Sequence, residues 1–214
     1  MVRKTRKSVG GLTPLKRLVY LISPKKINKK FYNDLDAVLS FGNVKFFQLR
    51  LKKIKIKNLF KIANKIRKIT LKHKVKFIIN DNFILTLKTK ADGCHMGQLD
   101  GSIRLAREEL GTKIIGITCH GSKKLALIAS ANNADHMAFG SFFKSKLKPN
   151  AKKANLKILA WAKKNIKKPI IAIGGITDKN YKKLIKAGAN YIAISSFIWN
   201  NPILKPEDAI KKFK

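Results

Sequence analysis

The sequence predicts an α/β fold, a single-domain (β/α)₈ TIM barrel, on two observations: eight short apolar, β-branched runs, and Lys-rich stretches of helical period between them. The runs are LVYLIS (18–23), KFFQL (45–49), KFIIN (76–80), DGCHM (92–96), KIIGIT (113–118), DHMAFG (135–140), PIIAIG (169–174) and NYIAIS (190–195). One intervening stretch, KNLFKIANKIRKITLKHK (57–74), repeats Leu59, Ile62, Ile66 and Ile69 at three and four residues, the spacing of one helix face. Strands that are apolar on both faces and separated by helices imply a parallel sheet with crossovers, and eight such units close a barrel. An open doubly wound sheet would carry G-x-G-x-x-G after its first strand, and no such motif follows LVYLIS. Thr177 and Asp178 are placed to cap a helix running to Ala187, with Gly188 at the left-handed position beyond its end.

A chain of 214 residues can bury one substantial core but not two of ordinary size. Residues 18–214 are assigned to the barrel. Residues 1–17, MVRKTRKSVGGLTPLKR, read as a loose basic arm: they hold no apolar core of signal-peptide length, and Gly10, Gly11 and Pro14 disfavour a continuous helix. No run of about 18 apolar residues is present to cross a bilayer, so a soluble chain with no membrane partner is expected. Two cysteines, Cys94 and Cys119, without a C-x-x-C motif, point to a reducing cytoplasm. Each precedes a histidine, His95 and His120, which invites a zinc site. On a strand, however, adjacent side chains point to opposite faces, so one member of each pair turns away from any shared ion.

The 48 Lys+Arg against 11 Asp+Glu give a net charge of +37, a field that attracts polyanions in general. The lysines are spread through every segment with no stripe and no interleaved aromatic residues. That pattern fits a compositional bias on solvated helix faces, and no specific nucleic-acid partner is expected.

In such a barrel the C-terminal strand ends form the active face. Asp81 and Asp100 follow adjacent strands, and two carboxylates placed there can hold Mg²⁺, which prefers hard oxygen ligands; the competing role for each is to cap the next helix. Arg50 and Lys52 on a neighbouring strand end supply the cations that a diphosphate requires. Gly174, Gly175, Ser195 and Ser196 follow strands seven and eight, the usual place of a phosphate site, although glycines there also suit a tight turn without ligand. Two anion sites on one face suggest two small phosphorylated substrates.

The segments QLRLK (48–52), INDN (79–82), DGCHMGQLD (92–100), IIGITCH (114–120), IAIGGI (171–176) and AGANYIAISSFI (187–198), in this order across residues 18–200, resemble the thiamine phosphate synthase family. The resemblance implies transfer of an aminopyrimidine methyl group from its diphosphate to a thiazole phosphate, with release of diphosphate. It also implies residue roles. Gln48, Arg50, Lys52 and Asn80 would hold the pyrimidine diphosphate, Asp81 and Asp100 would bind Mg²⁺, and Thr118 stands where the family usually has serine near the diphosphate. Lys148 matches the lysine that ends the strand-six loop, with Ser145 and Leu147 beside it, and Gly175, Ser195 and Ser196 would hold the thiazole phosphate. Arg50, Lys52 and Lys148 are the implied catalytic cations, because loss of diphosphate to leave a pyrimidine-stabilised carbocation needs a stabilised leaving group more than a general base.

Three departures from the family pattern stand out. The loop that usually reads Thr-x-Thr-Lys is Ser145, Lys146, Leu147, Lys148; Asn82 replaces a common arginine; and the glutamate often found after the strand-five histidine is absent from GSKKLALIA (121–129). A thiazole tautomerase of the same superfamily would instead use a histidine such as His120 as base and dispense with the metal pair, so retention of both Asp81 and Asp100 favours the synthase. An inert paralogue would account for Leu147, and a nucleic-acid binder on the same barrel for the charge.

Overall fold

The computed structural model describes residues 17–144 and 153–214. Residues 1–16 of the expected arm, and Ser145, Leu147 and Lys148, lie outside the described residues. The strands β1 (Val19–Ile22), β2 (Val44–Leu49), β3 (Lys76–Asn80), β4 (Gly93–Met96), β5 (Ile114–His120), β6 (His136–Phe139), β7 (Ile170–Ile173) and β8 (Tyr191–Ile194) close in sequence order, all parallel, with β8 pairing back onto β1. The predicted (β/α)₈ barrel is therefore the observed fold. Each predicted run is a strand; β5 reaches two residues past KIIGIT, through a register shift between Thr118 and His120.

The crossovers are helices α1 (Phe31–Ser40), α2 (Ile56–Lys72), α3 (Phe83–Lys88), α4 (Ile103–Leu110), α5 (Lys123–Ala131), α6 (Lys157–Asn165) and α7 (Tyr181–Lys186), and after β8 come α8 (Ser196–Trp199) and α9 (Pro206–Ile210). In α2, Ile66 is fully buried and Leu59, Ile62 and Ile69 pack half-buried on the same core, the stripe expected from their spacing. No helix among the described residues is long and apolar enough to cross a membrane.

The two faces of each strand build two cores. Leu21, Phe47, Phe77 and Ile79 face the helices, while Tyr20, Ile22, Phe46 and Ile78 fill the barrel interior, as the period of two requires. Cys94 and Cys119 belong to the layer under the helices, whereas His95 is bonded inside the barrel. Burial pushes both thiols up to about 12.

One helix start differs from expectation. Thr177 and Asp178 do not cap α7: the chain first makes a turn in which Thr177 O accepts from the amides of Asn180 and Tyr181, so the helix begins later. Asn180 organises that turn, accepting from Thr177 N at 2.9 Å and donating to Gly175 O at 3.0 Å. Gly188, at φ +120°, takes the left-handed position beyond the helix end.

The N-terminal end of the barrel repeats one device. The residue ahead of β4, β6 and β8, namely Asp92, Asp135 and Asn190, accepts an early amide of the preceding strand: Phe77 N at 2.9 Å, Ile115 N at 2.8 Å and Ile170 N at 2.8 Å. The two carboxylates also hold Arg67 and Arg107. Asp92→Ala strands the Phe77 amide and the Arg67 guanidinium together, an expected cost of about 1.5–3 kcal/mol. A urea unfolding midpoint reads it, with activity per folded molecule unchanged; a shift below about 0.5 kcal/mol would mean that the strand start does not depend on the carboxylate.

Candidate active site

The C-terminal strand ends enclose a cavity of about 1290 Å³. The site residues expected from sequence that fall among the described residues all line it: Gln48, Arg50 and Lys52 from β2 and its loop, Asn80 and Asp81 from β3, Asp100 and Thr118 from β4 and β5, and Gly175, Ser195 and Ser196 from β7 and β8. The two carboxylates on its wall are Asp81 and Asp100.

Local structure explains why these two carboxylates face the cavity. The capping role that competed for them is filled by their neighbours: Asn82 Oδ1 accepts from Leu85 N at 2.7 Å to start α3, and Ser102 Oγ accepts from Leu105 N at 3.5 Å to start α4. Asn82, the departure from arginine, thus has a structural duty. Asp81 is held in a left-handed turn (φ +62°) by its amide, which donates to His95 O at 2.8 Å. Asp100 Oδ2 accepts from Gly97 N at 2.7 Å.

Partial burial and then the adjoining Asp100 carboxylate push the Asp81 carboxyl above the usual range, opposed by Lys52, whose Nζ stands 3.4 Å from Asp81 Oδ2. Two like charges gathered on one wall are a standing repulsion that a divalent cation relieves, and their hard oxygens are the donors Mg²⁺ prefers, so this pair fits the ion. No group of three or more His, Cys, Asp or Glu side chains able to hold a metal occurs among the described residues.

The remaining wall is polar and anchored. Gln48 is buried, its Nε2 donating to the Tyr20 hydroxyl at 3.0 Å, and Arg50 is fixed through its own amide, which donates to Ser23 Oγ at 2.9 Å. Gln98 Nε2 donates to Thr118 O at 2.6 Å. His120, the base a tautomerase would use, lines the mouth with an exposed side chain at φ +52°.

On the opposite side Gly174 and Gly175 have φ of +105° and +63°. A Cβ on either would collide with the segment Ser141–Lys144, whose Phe142 and Phe143 amides donate to Ile173 O and Gly174 O at 3.1 Å each. Both glycines are accordingly required by the fold of the chain itself, whatever the cavity holds. Ser195 Oγ donates to Ser23 O at 3.1 Å, tying β8 to β1, and Ser196 opens α8.

Sequence reasoning missed Lys25 and Lys153, two further cavity-lining ammonium groups, because lysine is everywhere in this chain and carries no positional signal. It also missed the pair His95 and His136. Both lie inside the barrel; burial, and after it the Arg50 charge, holds His95 down at about 4, and burial with His95 as neighbour holds His136 well below the ordinary histidine value.

Comparison with known proteins places this geometry. The sequence profile described as thiamine monophosphate synthase matches residues 19–198, every strand of the barrel. The chain belongs to this family. Thiamine-phosphate synthase of Pelagibacter ubique (strain HTCC1062) is 52% identical over 200 residues, covering 93% of this chain and 97% of that protein. The corresponding protein of Erythrobacter litoralis (strain HTCC2594) is 40% identical, over 88% of this chain and 91% of its own length. Among solved structures, thiamine phosphate pyrophosphorylase from Pyrococcus furiosus superposes with a TM-score of 0.82 at 26% identity, over 92% of this chain and 93% of that one. As a member of the thiamine monophosphate synthase family the chain is a transferase.

Proposed function

We propose that the chain joins an aminopyrimidine methyl diphosphate to a thiazole phosphate in the cytoplasm, forming thiamine phosphate and releasing diphosphate. The observation that carries this reading is the juxtaposition of the Asp81 and Asp100 carboxylates with Lys52 and Arg50 on one cavity wall, in a chain of this family. Arg50, Lys52 and Asn80 take the diphosphate end, with Lys148 from outside the described residues as a further cation. Gln48 and the barrel floor take the pyrimidine ring, and Gly175, Ser195 and Ser196 take the thiazole phosphate. Asp81 and Asp100 would hold Mg²⁺, which when bound would supply charge neutralisation for the leaving diphosphate.

Mass spectrometry of the product formed from both substrates, with and without Mg²⁺, tests the reading; thiamine phosphate absent from the complete mixture removes it.

Metal binding has a readout independent of turnover. The Asp81 carboxyl lies above its unfolded value, so the folded state binds more protons than the unfolded one just above pH 3.8, and stability contributed by this group is lost as pH rises through the raised value. Mg²⁺ binds the ionised pair. Added Mg²⁺ is therefore expected to raise Tm at pH 7.5 and to raise it less near pH 4, because the raised Asp81 carboxyl takes up its proton in competition with the ion as pH falls. An equal Tm shift at both pH values would place the ion elsewhere.

A further inference from the structure

The two buried histidines have no part in the reading above, yet the barrel is built around them. His95 on β4 and His136 on β6 flank β5, and the register sets Gly116 between them, paired with His95 on one side and with His136 on the other. Any side chain at 116 would run into both rings. With hydrogen there, the rings lie edge to edge across β5, centroids 5.4 Å apart and 21° between planes, and His95 Nδ1 lies 3.2 Å from His136 Nε2. The other edge of His95 presents Nε2 2.9 Å from Thr118 Oγ1, and Thr118 lines the cavity. Tyr20 meets both rings edge-on at 6.2 Å and 5.6 Å, and Phe46 approaches His136 at 5.8 Å. A single file of hydrogen-bonding groups thus runs from the apolar centre of the barrel to the cavity wall.

Two neutral imidazoles carry one N–H each, so only two proton arrangements make both hydrogen bonds of this file. In one, His136 Nε2–H donates to His95 Nδ1, His95 Nε2–H donates to Thr118 Oγ, and the threonine proton is free to point into the cavity. In the other every bond is reversed: Thr118 donates its proton to His95, and its oxygen can only accept from the cavity. A diphosphate oxygen carries no proton and cannot donate, so a diphosphate facing Thr118 matches the first arrangement alone.

We propose that His136 is a positioning residue which donates from Nε2 to His95 Nδ1 and thereby aims the Thr118 hydroxyl proton at an anionic oxygen of the diphosphate substrate. The inference rests on the proposed synthase reading for the identity of that anion. His136→Phe removes the donor and leaves His95 free to draw on the Thr118 proton. The expected loss in kcat/KM for the diphosphate substrate is roughly ten- to a hundredfold, the worth of one hydrogen bond to a charged oxygen, with KM for the thiazole phosphate unmoved. His136→Gln, whose amide nitrogen can still donate, should recover most of it.

Two measurements separate positioning from mere packing. In a double-mutant cycle, His136→Phe placed on Thr118→Ala should cost no more than about threefold further, because the hydroxyl it would aim is gone; full, independent losses from the two substitutions would overturn the proposal. Nitrogen-15 NMR of histidine-labelled protein, with Mg²⁺ and inorganic diphosphate as the probe, should report His95 protonated at Nε2 in the wild type and a mixture of tautomers in His136→Phe. His95 protonated at Nδ1 in the diphosphate-bound wild type would overturn it as well, as would failure of inorganic diphosphate to bind at all. Diphosphate bound with the expected tautomer, but no thiamine phosphate formed from the two substrates, would instead remove the synthase reading and leave the aimed hydroxyl standing.

Discussion

Asp81→Asn and Asp100→Asn each should lower Mg²⁺-dependent turnover by about 10²–10⁴, the equivalent of a loss of several kcal/mol of charge stabilisation at about 1.36 kcal/mol per tenfold. The physical reason is that each substitution removes one of the two cavity-wall carboxylates proposed to hold the ion, and excess Mg²⁺ should restore only part of the rate. The effect on the fold should run the other way. Because Asp100 helps to push the Asp81 carboxyl up, Asp100→Asn relieves a repulsion, and without Mg²⁺ its Tm should equal or exceed that of the wild type. A variant that is inactive because it is unfolded would show the opposite sign. Either variant at full activity in ordinary Mg²⁺ would rule out this pair as the metal site.

Lys52→Ala should reduce turnover by roughly one to three orders of magnitude, through loss of the cavity-lining cation proposed to meet the leaving diphosphate. In the structure Lys52 leans on Asp81 at 3.4 Å with 61% of its side chain exposed. A pair so exposed contributes at most about 1 kcal/mol to stability, so Tm should barely move and the kinetic loss cannot be attributed to unfolding. The loss should appear in kcat/KM for the pyrimidine diphosphate and spare KM for the thiazole phosphate. Equal losses for both substrates would show that Lys52 shapes the mouth as a whole instead of serving one anion.

These expectations draw on two kinds of information. Period and punctuation along the chain were enough to find all eight strands and to align Gln48, Arg50, Asp81, Asp100 and Thr118 at one mouth, because a strand followed by a crossover helix returns every strand end to the same face. The purpose of individual residues was less legible. Asp81 and Asp100 could each have been a helix cap, and the choice went to Asn82 and Ser102 by one or two residues of turn geometry. Gly174 and Gly175 suggested a phosphate cradle, whereas the approach of Ser141–Lys144 is sufficient to require them. Asn180, rather than Thr177 or Asp178, organises the entry to α7, since the loop makes a turn before the helix starts.

The sequence by itself determined the order of elements and the face on which the polar residues gather, since both follow from side-chain geometry between near neighbours in the chain. Only the tertiary structure decided which distant residues meet. His95 and His136, 41 residues apart, touch because barrel closure sets the stagger of β4, β5 and β6 so that Gly116 falls between them. That stagger is a property of the closed sheet and not of any one strand: it is the shear at which eight tilted strands satisfy every backbone hydrogen bond at once, and no local pattern records it.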